Sequence, residues 1–330
     1  KRDEVHEEGG DKLMRNDGGR FTDVTVEAGI YTSDIGFGLG VSVSDLNNDM
    51  LPDIYVSKDF WESEYLYINQ GNGTFSEELT ERLSICSFNS MGADIADLNN
   101  DGTAEVMTTD MLPRSNYRLK TMTQFEPYRL ENEKVNASYH YQMLQNCLHF
   151  NDGKGNFQEL AFLAEVGATD WSWGSLMLDL NNDGWKDIFV SNGIYRDLTD
   201  FDFVDFLSDQ EKVREAMKNG NVLDVLIEMP SQAISNYAFL NQKNQIFKNE
   251  AENLGLATPS FSKGAAYGDL DNDGDLDLVI NNANMPCFIY QNKSSEKGSA
   301  NYINIQLEGS ALNPLGIGAK VRVKANGQWL

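Results

Sequence analysis

DLNNDGWKDIFV, residues 179–190, decides the fold. Nine residues carry oxygen-bearing side chains at positions 1, 3, 5 and 9 (Asp179, Asn181, Asp183, Asp187), with Gly184 at position 6. The apolar, β-prone run IFV follows at once. Hard divalent cations such as Ca²⁺ take about six to eight oxygen ligands at roughly 2.3–2.6 Å. A short loop can supply them if alternate side chains turn inward, the backbone closes sharply at a glycine, and a carbonyl (here that of Trp185) fills a further place.

The same loop occurs three more times. DLNNDMLPD offers Asp45, Asn47, Asp49, the Leu51 carbonyl and Asp53; DLNNDGTAE offers Asp97, Asn99, Asp101, the Thr103 carbonyl and Glu105. DLDNDGDLD offers Asp269, Asp271, Asp273, the Asp275 carbonyl and Asp277. Apolar runs follow each of these as well: IYV, VMT and LVI. One such loop could be an Asx-rich turn; four in one strand context read as a metal-binding repeat. An EF-hand needs a Glu at position 12 and flanking helices. Position 12 here is Val56, Thr108, Val190 or Ile280, inside a strand, so that reading fails. The first loop departs most, because Met50 replaces the glycine.

A second repeated element follows each loop: YLYINQGNGTF (65–75), CLHFNDGKGNF (147–157) and a degenerate QIFKNEAENLGLATPSF (245–261), with CFIYQN (287–292) beginning another. RNDGGRFTDVT (15–25) resembles the tail of a preceding unit. Each unit reads as strand, acidic loop, strand, connection, strand, Asn/Gly turn and a Phe-led strand. That is an all-β chain of four-stranded propeller blades. Residues 110–146 and 196–237 interrupt two units as helical insertions. The second carries apolar residues at helical spacing, among them Phe203, Phe206, Leu207, Val225 and Leu226. After a linker at 293–300, the alternating INIQL and AKVRV predict the start of a small C-terminal β domain over 301–330.

Composition narrows the partners. The chain has 330 residues and a formal charge of −25, which disfavours nucleic acid and anionic membranes. No apolar run approaches the roughly 20 residues of a membrane span. Cys86, Cys147 and Cys287 lack metal-type spacing and read as buried free thiols. Both chain ends have the look of a fragment.

These motifs resemble known families. The loops, with GFGLGVSVSDLNND, DWSWGSLMLDLNNDGWKDIFVSNG and SFSKGAAYGDLDNDGDLDLVINN around them, resemble the FG-GAP/VCBS repeats of integrin-α-like β-propellers. NPLGIGAKVRV (313–323) looks like the opening of an ASPIC/UnbV domain. The combination is similar to the cartilage-acidic-protein-like family, in its surface-lipoprotein form from Bacteroidota. That resemblance implies a seven-bladed propeller of which residues 1–292 would be the last four blades. It also implies calcium on the loop positions named above, and export to a cell surface or outer membrane. Met50 and Glu105 depart from the family pattern.

Histidines are few: His6, His140 and His149, none near a nucleophile motif. Trp171 and Trp173 could face a sugar or pack between blades, and Asn72, Asn136 and Asn292 lie in N-x-S/T sequons. The expectation is a calcium-stabilised extracellular binding, adhesion or assembly module, not an enzyme, whose partner is a protein or glycan at the cell surface. Two alternatives stay open: a polysaccharide-active lyase or hydrolase using calcium, and an accessory subunit of an outer-membrane complex.

Overall fold

The computed structural model describes residues 9–33, 35–217, 223–297, 302–311, 313–325 and 327–329. A hairpin, β1 (Met14–Asn16) and β2 (Phe21–Asp23), precedes an all-β array of blades. Blade one is β3 (Phe37–Ser44), β4 (Asp53–Asp59), β5 (Tyr65–Asn69) and β6 (Phe75–Glu77), followed by α1 (Leu79–Arg82) and β7 (Cys86–Ser87). Blade two opens with β8 (Gly92–Ala96) and β9 (Glu105–Thr109). The first insertion then supplies α2 (Asn116–Met122), α3 (Tyr128–Asn136) and β10 (Gln142–Met143), and β11 (Cys147–Asn151) and β12 (Phe157–Glu159) complete the blade. In blade three, β13 (Ser172–Leu178) and β14 (Asp187–Asn192) precede the second insertion with α4 (Phe201–Ser208), α5 (Gln210–Ala216) and α6 (Leu223–Ile227). The blade ends with β15 (Tyr237–Asn241) and β16 (Phe247–Asn249). Among the described residues, blade four has three strands, β17 (Ser262–Gly268), β18 (Asp277–Asn282) and β19 (Phe288–Tyr290). A last hairpin joins β20 (Lys324–Ala325) to β21 (Gln328–Trp329).

Strand composition explains the stacking. The second strands are apolar on both faces because each lies between two neighbouring blades. In β9, Val106 enters the core shared with blade one, while Met107 enters the core shared with blade three. In β14, Ile188 and Val190 face blade two and Phe189 faces blade four. A one-residue slip would exchange these partners. The first strands are rich in Gly, Ala and Ser because they crowd together. A Cβ at Gly92 would lie 2.6 Å from the Trp173 carbonyl oxygen, closer than packing permits. Ser42 donates to the Ala93 carbonyl at 2.8 Å across the neighbouring seam, between blades one and two.

All blade strands pair antiparallel. The acidic loops (first to second strand) and the Asn/Gly turns (third to fourth) therefore share one end of the array. The two insertions, between second and third strands, leave from the opposite end. The first helix of each insertion begins at a side-chain cap: Ser115 accepts from the Arg118 amide at 3.1 Å, and Asp200 from the Phe203 amide at 3.1 Å. Only part of the helical stripe is covered: Phe203 and Val225 are buried, whereas Leu207 and Leu226 are exposed.

The C-terminal stretch differs from expectation. Among the described residues, INIQL (303–307) and AKVRV (319–323) do not pair as strands, and pairing near them is confined to β20–β21 and the Ser310–Asn313 bridge. Alternation gives a strand one dry face only where a sheet exists to receive it, and residues 302–311 stay exposed. Residues 317–322 lie instead beside the first two acidic loops.

Candidate metal centres

The four loops fold alike. In each, the position-1 carboxylate turns back and accepts the amides of positions 5 and 6. Asp45 accepts from Asp49 and Met50 at 3.0 Å each, and Asp97 from Asp101 and Gly102 at 3.3 and 2.9 Å. Asp179 accepts from Asp183 and Gly184 at 3.1 and 2.8 Å, and Asp269 from Asp273 and Gly274 at 3.1 Å each. The position-5 carboxylate accepts the amide of position 7: Asp49 from Leu51, Asp101 from Thr103, Asp183 from Trp185 and Asp273 from Asp275, all between 2.8 and 3.0 Å. The oxygens of Asn47, Asn99 and Asn181 accept the position-5 amide. These bonds turn the oxygens of positions 1, 3 and 5 to the inside of the turn. Asp269, Asp271 and Asp273 bring carboxylate oxygens within 4.8 Å of one another, the one such acid cluster among the described residues. The other loops have an amide at position 3.

The backbone confirms what position 6 requires. Gly102, Gly184 and Gly274 have φ of 89°, 87° and 88°, and Met50 adopts the same left-handed region at 70°. Position 4 is left-handed as well, at Asn48, Asn100, Asn182 and Asn272, which suits asparagine.

Position 9 does more than close the loop. Asp53, Glu105, Asp187 and Asp277 are buried, and each accepts the amide of position 2: Leu46, Leu98, Leu180 and Leu270. The second oxygen of Asp53, Asp187 and Asp277 accepts the amide of Asn69, Asn241 or Asn292, each at 2.8 Å, at the end of the third strand. Each carboxylate oxygen has two lone pairs, so such a bond leaves one free for a cation. Burial, reinforced by the nearby loop acids, pushes the Glu105 carboxyl up to about 8 and that of Asp187 up to about 7.

Sequence reasoning missed a set of asparagine staples. Asn151 donates to the Leu46 carbonyl of the preceding loop at 2.8 Å and to Ala104 of its own at 3.1 Å. Asn241 joins Leu98 and Lys186 in the same way, and Asn292 joins Leu180 and Leu276. In the other direction, position 4 reaches forward: Asn48 donates to the Gly153 carbonyl, Asn100 to Gly184 and Asn182 to Gly274. The signal was the recurrence of Asn at position 4 and at the end of every third strand. Asn292 spends its side-chain nitrogen here, so its sequon is not available in the folded chain; Asn72 and Asn136 are exposed.

The donor set suits a hard cation: each loop offers oxygen only, and at the first and third loops an ammonium group already pairs with an acid. The Lys320 ammonium lies 2.9 Å from Asp45, and Lys243 lies 3.2 Å from Asp183. Burial opposes ionisation of Asp45, yet Lys320 and the Met50 and Asp49 amides carry its carboxyl below the ordinary value.

Other expected site residues separate. His149 is buried with neither ring nitrogen hydrogen-bonded, and burial drives its pKa down to about 3, so it is neutral. His140 is buried beside Tyr141, and His6 lies outside the described residues. Trp173 donates to the Gly193 carbonyl at 2.9 Å and its ring is covered by the Lys263 ammonium at 3.7 Å. Trp171 instead lines a groove between the two insertions. Cys86 and Cys147 are buried free thiols as expected, but Cys287 is exposed, because it lies in the connection before β19 rather than in a shared core.

An FG-GAP-like repeat family matches residues 45–108, from the first acidic loop through the second. No curated protein matches the chain. A solved structure, described as the basis of specific recognition of non-reducing terminal N-acetylglucosamine by an Agrocybe aegerita lectin, is similar over 87% of this chain and 61% of that one. The two share 15% identity at a TM-score of 0.36, and this chain thus spans less than two thirds of the lectin's length. The sequence carries an FG-GAP-like repeat within an array of propeller-type blades.

Proposed function

We propose that this chain is a calcium-stabilised binding or assembly module that works outside the cell, at its surface. The observation that carries the reading is the identical fold of four oxygen-only loops, each holding side chains of positions 1, 3 and 5 inward and a buried acid at position 9. Calcium would be held by Asp97, Asn99, Asp101, the Thr103 carbonyl and Glu105, and by the equivalent residues of the other loops. Its charge would offset the crowded carboxylates, and its bonds would fix the turn that joins neighbouring strands. The ion is structural in this reading, and recognition belongs to the insertion face, where irregular segments stand on a rigid scaffold.

Calorimetry with and without chelator tests it, together with elemental analysis of the purified chain. Removing calcium should lower the melting temperature substantially, because a site at a hundredfold excess of ligand over Kd adds about 2.7 kcal/mol. Unchanged melting in excess chelator, with no bound metal, sinks the proposal.

A further inference from the structure

The groove between the insertions has a volume of about 540 Å³, within the range of sites that enclose a ligand. Met111, Met122, Met143, Phe125, Tyr128 and Trp171 form much of its wall. Methionine and aromatic rings make an adaptable apolar surface. Among the described residues, the charged ones that line it are acidic: Glu126, Glu131 and Asp170. The cations behind the wall are already engaged, Lys134 with Glu126 and Glu131, and Arg118 with Asp170 and Asp197. Two cations thus face four carboxylates, and the wall keeps a negative balance.

Three polar atoms on this wall are shielded from solvent with no hydrogen-bond partner: Trp171 Nε1, Gln142 Oε1 and Glu131 Oε1. Gln142 is only 5% exposed, and its amide nitrogen is used by the Phe60 carbonyl at 3.0 Å. The other Glu131 oxygen lies 3.4 Å from the Lys134 ammonium. Buried polar groups are costly when unpartnered. Three on one wall, two acceptors and one donor, call for a ligand with donors and at least one acceptor.

We propose that the groove binds an extended basic peptide segment. A lysine or arginine side chain lies along the aromatic and methionine wall with its head on Glu131 and Gln142, and a peptide carbonyl accepts the Trp171 indole N–H. Cation–π attraction and the acidic wall favour the charge, while the apolar wall holds the stem. The acidic lining repels anions. A saccharide could satisfy the three atoms but would leave the negative balance and the methionine surface without a role. The inference rests on the reading of the chain as a binding module and names its partner.

The test uses the full chain and fluorescence anisotropy with four pools of end-blocked heptapeptides. Their central residue is Lys, Arg, Ala or Glu, and the other positions are random among uncharged residues. The Lys and Arg pools should bind about tenfold or more tighter than the Ala and Glu pools. Trp171→Phe, which keeps a ring but loses the N–H, and Glu131→Gln should each weaken the Lys pool by about tenfold at unchanged melting temperature. Equal binding of all pools overturns the proposal, as does no binding of any pool at millimolar concentration, or parental affinity in both variants. A chitosan oligomer that binds through Trp171 where peptides fail would reassign the groove to a saccharide and leave the binding-module reading standing. Failure of every probe with calcium-dependent melting intact would remove the groove's role alone.

Discussion

Arg118 grips Asp170 through two parallel hydrogen bonds, Nε to Oδ2 at 2.6 Å and Nη2 to Oδ1 at 2.8 Å. The same guanidinium reaches Asp197 at 3.1 and 3.3 Å and Gln232 at 3.2 Å. One side chain from the first insertion therefore anchors the approach to β13 and both ends of the second insertion. Burial opposes its charge, but the two carboxylates outweigh that and hold it firmly protonated.

Replacing Arg118 leaves two buried carboxylates without a counter-charge. Arg118→Met should destabilise the fold by about 3–5 kcal/mol, the usual cost of breaking a buried pair from one side. Urea unfolding measures it. A loss below about 1 kcal/mol would show that the insertions relax to bring in water.

Met50 holds a left-handed backbone at φ 70° that its neighbours in the repeat assign to glycine. Its side chain is largely exposed, so it gains little by packing. Met50→Gly should stabilise the chain by about 0.5–1 kcal/mol, the strain removed exceeding the entropy lost. Thermal melting of the variant in calcium would reveal the gain, and a lower melting temperature would contradict it.

The buried loop acids set a pH dependence. Folding without an ion raises the Glu105 carboxyl from 4.5 to about 8 and the Asp187 carboxyl from 3.8 to about 7. A carboxyl raised on folding favours the fold while protonated. That contribution is complete below the unfolded value and disappears as pH climbs through the folded one. The ion-free chain should therefore melt at progressively lower temperature as pH rises from about 4 to about 8 and level off above that, while stabilisation by calcium grows over the same interval. Melting curves in chelator across that range decide it. Glu105→Gln combined with Asp187→Asn should flatten the ion-free slope.

The staples can be tested one at a time. Asn151→Ala strips the Leu46 and Ala104 carbonyls of a donor and the Gly153 and Gly155 amides of an acceptor. A loss of about 1–3 kcal/mol is expected, as for other buried polar groups left unpaired. Asn72→Ala, at an exposed turn, should fall within about 0.5 kcal/mol of the parent.

The blades were legible because their information is local. Nine residues specify each loop, and the apolar run behind it announces a strand packed on both faces, as Val106 and Met107 demonstrate. The second insertion was legible as helical from the spacing of its apolar residues, such as Phe203 and Val225. What the sequence hid was long-range. Arg118 meets partners 52, 79 and 114 residues away, and no periodicity marks such a cluster. Trp171 and Trp173 look equivalent in sequence, yet one lines the groove and the other lies beneath Lys263. INIQL and AKVRV have a strand's alternation and no sheet to complete it. The asparagine staples were visible as letters, but their direction, from blade to blade, needed the fold.

That direction has a consequence for the unit that folds. Every loop from the first to the third lends its position-2 carbonyl to the asparagine of the next blade. No blade owns all of its own bonds, so a single copy cut free would be left half-sewn. Loss of one blade exposes torn seams on its neighbours, and nearest-neighbour coupling of this kind makes an array come apart as a block rather than piecemeal.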